Sequence, residues 1–490
     1  MRSLVTGATG YIGGRLVPEL LDAGHAVRVL VRDEGKARAH RWADAVEISV
    51  GDAISADDVR STLEGVDVAY YLLHSIGTDG DFAETERQIA ATFAAAAADA
   101  GVGRIVYLGG MVPADEKLSE HLRSREQVGD VLLASGVPTA VLQAGVVIGS
   151  GSASFEMLRY LTERLPVMVT PRWVHSRIQP IAVRDVLRYL VGCAVLPPDV
   201  NRRFDIGGPD VLTYLDMMQG YAKVAGLPRR RVLPVPVLSP WLSSHWVGLI
   251  TPVPAGLARP LVESLRNTVV AGDHDIERHV PDPPDGLIGY ERSVELALTK
   301  IKSLDVPTSW SSASTPGAPS EPLPSDPDWA GGSLYEDSRT REVNASPEAL
   351  WTVIEGIGGR NGWYSWGLAW RIRGLLDRLV GGPGLRRGRR NEKDLVVGDA
   401  LDFWRVEATD DHKFLRLRAE MRLPGLAWLE LQVGSTEGGT TTFHHRALFH
   451  PHGLFGHLYW WAVLPFHGIV FGGMQRNIAK AAESLDPDGT

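Results

Sequence analysis

A chain of 490 residues is too long for one ordinary hydrophobic core, so two or three domains are expected. Hydrophobic residues at 44% and charged ones at 22% describe a globular protein with large cores and exclude extensive disorder. A formal charge of −9 excludes the cationic surface that a nucleic-acid partner requires, and a single cysteine, Cys193, excludes an internal disulfide.

From residue 1 to about 150, short β-branched runs alternate with amphipathic or alanine-rich stretches, the pattern of a parallel sheet covered by helices. The strand candidates are SLVTG, AVRVLVR, VEISV, DVAYYLL, RIVYLGG and TAVLQAGVVIG, with GGRLVPELLDAG and FAETERQIAATFAAAAADAG among the helices between them. An α/β fold with a doubly wound, six-stranded Rossmann sheet is expected. Residues 151–304 mix helical stretches with proline-rich turns and short strands such as RFDIGG, and read as a small substrate lobe. Cys193 lies there in the apolar helical stretch VLRYLVGCAVL, where a small buried residue fits. Residues 305–332 are dense in Pro, Ser, Gly and Asp and read as a linker. The third region, 333–490, carries most of the tryptophans and is expected to form a separate α+β domain. It begins with the strand TREVNA, then Ser346 as N-cap and Pro347 at the first helical position of PEALWTVIEGIGG. Four strand-like runs follow, then a long apolar helix. Its segment His457–Gly473 is short for a membrane span and holds Pro465 and His467, so a buried helix is expected. Together with the absence of a charged leader and an apolar signal core, this predicts a cytoplasmic protein with no transmembrane span.

TGATGYIGG, Thr6 to Gly14, joins the first strand to the first helix. Such a turn needs glycine so that backbone can approach a pyrophosphate at the helix N-terminus and so that helix and strand can pack closely. Gly7, Thr9, Gly10, Tyr11, Ile12 and Gly13 are therefore the expected dinucleotide-binding residues. The second strand ends on Arg32 rather than on the acid that holds a ribose 2′-hydroxyl, and a guanidinium there suits a 2′-phosphate. NADP(H) is the expected cofactor, with Asp33 keeping NAD(H) open. Asp52 is placed either to accept from the adenine amino group or to cap its own turn. His74 and Ser75, at the end of the fourth strand, face the expected nicotinamide site or cap that strand.

With the GD after the third strand, RIVYLGG on the fifth, and QPIAVRDV and FDIGGPDVLTY in the second lobe, TGATGYIG resembles the extended and atypical short-chain dehydrogenase/reductase superfamily, nearest to its NmrA-like members. The resemblance covers residues 1–304 and implies a Ser or Thr on the fifth strand followed by Tyr-x-x-x-Lys on the next helix, the tyrosine moving a proton and the lysine holding the nicotinamide ribose. Here Gly109 or Gly110 stands at the hydroxyl position, and SEHLRSREQVGDVLL offers His121 for the tyrosine and Arg125 for the lysine. Histidine can pass a proton near neutral pH and arginine can hold ribose hydroxyls, but the same residues also suit a retired active site. In the second lobe, His175, Arg177 and Gln179 occupy positions that in related proteins line the substrate pocket. Alternation along a strand would put all three on one face.

The C-terminal order of strand, short helix, antiparallel strands and long helix, with SPEALWTVI, resembles the helix-grip superfamily of polyketide cyclases, START domains and pollen allergens, which implies an apolar cavity. Trp351, Trp363, Trp366, Trp370, Trp404, Trp460 and Trp461 line such a cavity or fill a solid core. No metal site is expected from FHHRALFHPHGLFGH, since no acid or cysteine joins its histidines at a closed spacing. The basic run Gly384–Lys393 is either a solvated loop or a contact for anions or a membrane surface. These features suggest an NADP(H)-dependent oxidoreductase or epimerase-like enzyme acting on a small hydrophobic ligand. The alternatives are a non-catalytic NADP(H) sensor or assembly factor, and a lipid carrier with a structural Rossmann half. The sequence leaves the oligomeric state open.

Overall fold

The computed structural model describes residues 1–73, 82–112, 120–170, 172–234, 251, 267–302, 333–358, 362–365, 395–410, 412–435 and 440–486. The chain divides into two compact units, Met1–Gly332 and Ser333–Thr490. The run expected as a linker, 305–332, lies outside the described residues, as do His74, Ser75, Trp366, Trp370 and the basic run 384–393.

The first unit is built on strands β1 (Arg2–Thr6), β2 (Ala26–Val31), β3 (Glu47–Val50), β4 (Val68–Tyr71), β5 (Arg104–Gly110), β6 (Thr139–Ala144) and β7 (Arg202–Ile206). They form one parallel sheet in the order β7-β6-β5-β4-β1-β2-β3. β4 and β6 are buried along their whole length, as strands covered on both faces by helices must be, and their sequences are accordingly apolar runs rather than alternations. The sheet has one strand more than the six expected. RFDI, read as part of the second lobe, pairs in parallel with β6 through Phe204 opposite Leu142, and so covers an otherwise open edge of buried backbone.

Helices α1 (Tyr11–Asp22), α2 (Glu34–Arg38), α3 (Ala56–Leu63), α4 (Phe82–Asp99) and α5 (Glu120–Leu133) alternate with the strands. α1 buries Leu16, Val17 and Leu20 on the sheet. Arg28 on β2 donates to the Thr62 and Glu64 carbonyls, satisfying the C-terminal end of α3 with a cation. The second lobe packs α6 (Ala153–Arg164), α8 (Tyr214–Val224) and α9 (Tyr290–Lys302) around Phe155, Met217 and Val294, while α7 (Val183–Gly192) packs on the main core with the buried Cys193 just beyond it.

In the second unit, β8 (Tyr335–Val343), β9 (Ala400–Leu401), β10 (Trp404–Asp410), β11 (Phe414–Ala419), β12 (Gly425–Ser435) and β13 (Thr441–Pro451) make an antiparallel sheet in the order β8-β13-β12-β11-β10-β9. Ser346 caps α10 (Pro347–Glu355) through the Ala349 N–H, as its sequence predicts. α11 (Gly453–Leu485) packs along the sheet. The α+β helix-grip order is thus present. Trp351, Trp363, Trp404 and Trp460 are buried, and Trp363 packs its ring 5.8 Å from Phe403 and 6.1 Å from Trp404, so these rings are core.

One expectation fails. The apolar segment His457–Gly473 is not enclosed: Leu458, Trp461, Phe466 and Ile469 are exposed, as is Phe455 just before it, and of the helix's most apolar eighteen residues 22% are buried. A sheet covers one stripe of a helix, so apolar residues on every side of α11 leave the outer stripe uncovered.

Candidate dinucleotide site and its surroundings

The end of β1 is fixed before the turn begins. Thr6 donates its hydroxyl to the Tyr70 carbonyl at 3.0 Å and accepts from the Leu72 N–H at 3.1 Å, tying β1 to β4. Gly7 then takes a φ of +69°, where a side chain is strained, and a Cβ on it would stand 2.5 Å from the Leu72 carbonyl oxygen. The Gly10 N–H donates to the Gly7 carbonyl at 2.9 Å, and α1 begins at the next residue with no side-chain cap. No side chain caps its first N–H groups, and a helix N-terminus of this kind is where a phosphate is received. A Cβ on Gly13 would lie 2.8 Å from the Gly7 carbonyl carbon and 2.9 Å from the Ala8 Cα, so the helix meets the turn where only hydrogen fits. A Cβ on Gly10 would meet nothing but the Gly7 oxygen, at 3.1 Å, and opens toward the space above the turn. The Trp42 indole donates to the Gly14 carbonyl at 3.2 Å and holds the helix start from the other side.

Arg32 follows β2 directly, is exposed, and makes no hydrogen bond or ion pair among the described residues. Asp33 is occupied differently: it is the N-cap of α2, and its carboxylate accepts from the Lys36 N–H at 3.2 Å. Asp52 accepts from the Ile54 N–H at 3.1 Å, so it caps its own turn. These residues follow the C-terminal ends of neighbouring parallel strands, where open α/β sheets bind ligands.

At the end of β5, Gly109 and Gly110 take the position where the superfamily pattern has a hydroxyl residue. Arg125 lies beside them: its guanidinium donates to the Leu108 carbonyl at 3.4 Å, and a Cβ on Gly110 would lie 3.6 Å from the Arg125 Cδ. The Tyr107 hydroxyl donates to the Arg125 carbonyl at 3.3 Å, and Ser124 donates to Glu86 at 2.6 Å, so this part of α5 is locked onto β5 and α4. Burial pushes the Tyr107 phenol up, which leaves it a protonated packing group. His121 belongs to the first turn of α5, one helical turn before Arg125, so the two positions share a helix face.

The expected single face of His175, Arg177 and Gln179 is not observed. His175 ends the 3-10 turn Arg172–His175 rather than standing on the strand, and both it and Arg177 are exposed. Gln179 is buried, donating its amide to the Gly208 carbonyl at 2.8 Å and accepting from the Ala271 N–H at 3.0 Å. The break at Ile178–Gln179 turns the chain inward, and Gln179 holds the lobe's backbone together. An apolar cavity of about 20 Å³ lies close by in the lobe, lined by Val146, Met157, Leu161, Tyr214, Met217 and Met218.

In the second unit His445 is wholly buried, and neither ring nitrogen finds a hydrogen-bond partner among the described residues. Burial pushes its imidazole down to about 4, while Asp337 opposes the shift. His467 stands 3.4 Å from Asp337 and is also lowered, chiefly by burial. Among the described residues no three His, Cys, Asp or Glu side chains converge as metal ligands do.

A parallel sheet of Rossmann topology with a glycine of positive φ at the first strand–helix junction is the architecture of a dinucleotide-binding domain. Comparison with known families agrees: residues 7–145 match the family described as NAD(P)H-binding, and residues 329–474 match one described as "Protein of unknown function (DUF2867)". The chain is 29% identical over 244 residues to the ceramide reductase of Caulobacter vibrioides, an alignment covering 47% of this chain and 73% of that protein. It is 33% identical over 116 residues to a 3-beta-hydroxysteroid dehydrogenase of Mycolicibacterium neoaurum, covering 22% of this chain and 31% of that enzyme. Among solved structures, the triphenylmethane reductase of Citrobacter sp. superposes with a TM-score of 0.50 at 19% identity, covering 61% of this chain and all of the other, and thus shares the fold. The first unit is therefore an NAD(P)H-binding domain of reductase-like fold, followed by a domain of a family whose function is unknown.

Proposed function

We propose that the protein is an NADP(H)-dependent reductase of the cytoplasm, acting on the carbonyl or alcohol carbon of a small hydrophobic ligand. The observation that carries this reading is the turn itself: a cradle at Gly7, Gly10 and Gly13 that a Cβ would fill or strain, with Arg32 unengaged one strand away and Asp33 committed to capping. The pyrophosphate would meet the N-terminus of α1 around Thr9, Tyr11 and Ile12, and Arg32 would pair with the 2′-phosphate. Asp33, with its carboxylate turned to Lys36, is poorly placed to hold a 2′-hydroxyl, which favours NADP(H) over NAD(H).

When bound, the reduced nicotinamide supplies the hydride. On that reading Arg125 orients the ribose from beside Gly110, and His121 gives a proton to the oxygen of the carbonyl that accepts the hydride. From its sequence position after the fourth strand His74 would serve the nicotinamide end, while His175 and Arg177 would meet a polar group of the ligand. A hydrophobic substrate is supported by the ceramide and steroid named for the relatives. His121→Ala should lower turnover of NADPH with a responding carbonyl substrate by about 100-fold or more. Unchanged turnover would remove the histidine from the mechanism.

The second reading, a non-catalytic NADP(H) sensor, is favoured by Gly109 and Gly110 at the hydroxyl position and by the Leu108 carbonyl bond that already engages Arg125. NADPH binding without oxidation across a panel of quinones, ketosteroids and ceramide-like ketones would select it.

A further inference from the structure

The exposed positions of α11 follow one another at helical spacing: Phe455, Leu458, Trp461, Phe466 and Ile469 stand on the side turned away from the sheet, with Phe455 77% and Trp461 61% exposed. Between Gly453 and Gln475 there is no Asp, Glu, Lys or Arg. The opposite side is committed to the domain, since Trp460, Phe471, Met474 and Ile478 are buried against the sheet core. A helix packed along one side in this way cannot be surrounded by acyl chains, yet its outer stripe is too apolar and aromatic to be an ordinary solvated face. The stripe ends where Arg476, Asn477 and Lys480 take over the exposed positions.

Charge supplies the second, independent observation. In a chain of net charge −9, residues 370–393 of the same domain hold Arg371, Arg373, Arg378, Arg386, Arg387, Arg389, Arg390 and Lys393 against Asp377 and Glu392 alone. An apolar stripe with tryptophan and phenylalanine, accompanied by a polybasic run, is the combination that holds a helix in the plane of an anionic membrane. A protein partner would ask for hydrogen-bonding side chains around the apolar centre, and the outer stripe offers almost none beyond the Trp461 indole.

We propose that the outer face of α11 docks on an anionic lipid bilayer, the helix lying in the interface with Phe455, Leu458, Trp461, Phe466 and Ile469 among the acyl chains. The inference stands on the second domain alone and does not depend on the cofactor reading.

The test is sedimentation of the full chain with phosphatidylcholine vesicles made with and without phosphatidylglycerol. Leu458→Cys carrying an environment-sensitive dye reports insertion, and labelling is selective because Cys193 is buried. Binding to the anionic vesicles with a blue shift of the dye is expected, reduced at least about tenfold by Arg386→Gln/Arg387→Gln/Arg389→Gln/Arg390→Gln and by Phe455→Ser/Trp461→Ser/Phe466→Ser. Circular dichroism of each variant separates lost binding from lost fold, and the dye-labelled chain reports insertion without either set of substitutions. No sedimentation, sedimentation without a blue shift, or a lipid-free dimer that blue-shifts the dye would each overturn the proposal, the last by assigning the stripe to a second copy.

Discussion

Three glycine substitutions separate what the turn does for the fold from what it does for the cofactor. In Gly13→Ala the new methyl carbon would sit 2.8 Å from the Gly7 carbonyl carbon, at least about 0.7 Å inside the ordinary carbon–carbon contact, so α1 must move off β1. Overpacking of this kind costs about 1–3 kcal/mol, or a fall of roughly 2–4 °C for a unit of this size. NADPH affinity should fall with it, because the helix N-terminus is displaced. In Gly10→Ala the methyl meets only the Gly7 oxygen at 3.1 Å, so the melting temperature should change little, while affinity drops at least about tenfold because the methyl occupies the approach of the pyrophosphate. Gly24→Ala is the control: its φ of +80° costs about 1–2 kcal/mol with no neighbour within 4 Å, so stability falls and affinity does not. Differential scanning fluorimetry and calorimetric titration with NADPH read both quantities. Full NADPH affinity in Gly10→Ala alongside native stability would refute the assignment of the turn.

Further outcomes concern the second domain. His445 is held near a value of about 4 against 6.5 in the unfolded chain, so its neutral form stabilises the fold fully above pH 6.5, and about 3 kcal/mol is lost as the pH falls from there through 4. His445→Phe should flatten that acid dependence in urea melts followed by tryptophan fluorescence, and parallel pH profiles would contradict it. Arg416 and Glu430 face each other across β11 and β12 with both side chains largely buried and bonds of 2.8 and 2.5 Å. Arg416→Ala should leave Glu430 with only the longer Arg446 contact at 3.7 Å and cost about 3 kcal/mol, whereas Arg416→Met with Glu430→Leu should recover most of it. Equal stability of the single and double variants would show that no unpaired buried charge is left behind.

The Rossmann sheet is legible in the sequence because parallel strands buried on both faces read as uninterrupted apolar runs, and the glycine turn because its spacing has one steric use. Ser346, Pro347 and their helix are legible for a related reason: capping is local chemistry. The seventh strand is not, since RFDI lies some sixty residues from its partner TAVLQA and carries no signal for that pairing. Gln179 departs from the expected face because alternation holds only while a strand continues, and here the chain turns inward to bond Gly208 and Ala271. Asp52 is open between ligand and cap in the sequence and Asp33 reads there only as an acid that would suit NAD(H), whereas both carboxylates bond backbone in their own turns. The outward face of α11 is hidden by its composition, because a helix apolar on every side looks buried until the sheet beneath it is seen to cover only one stripe.

The most direct measurement is calorimetric titration of the full chain with NADPH, NADP, NADH and NAD, repeated on Arg32→Asp. Tight binding of NADPH and NADP is expected, weakened at least about tenfold by Arg32→Asp while the NADH and NAD affinities hold or rise, because only the 2′-phosphate loses a charge-assisted partner. Failure of all four to bind the native chain would contradict a dinucleotide site at the glycine turn.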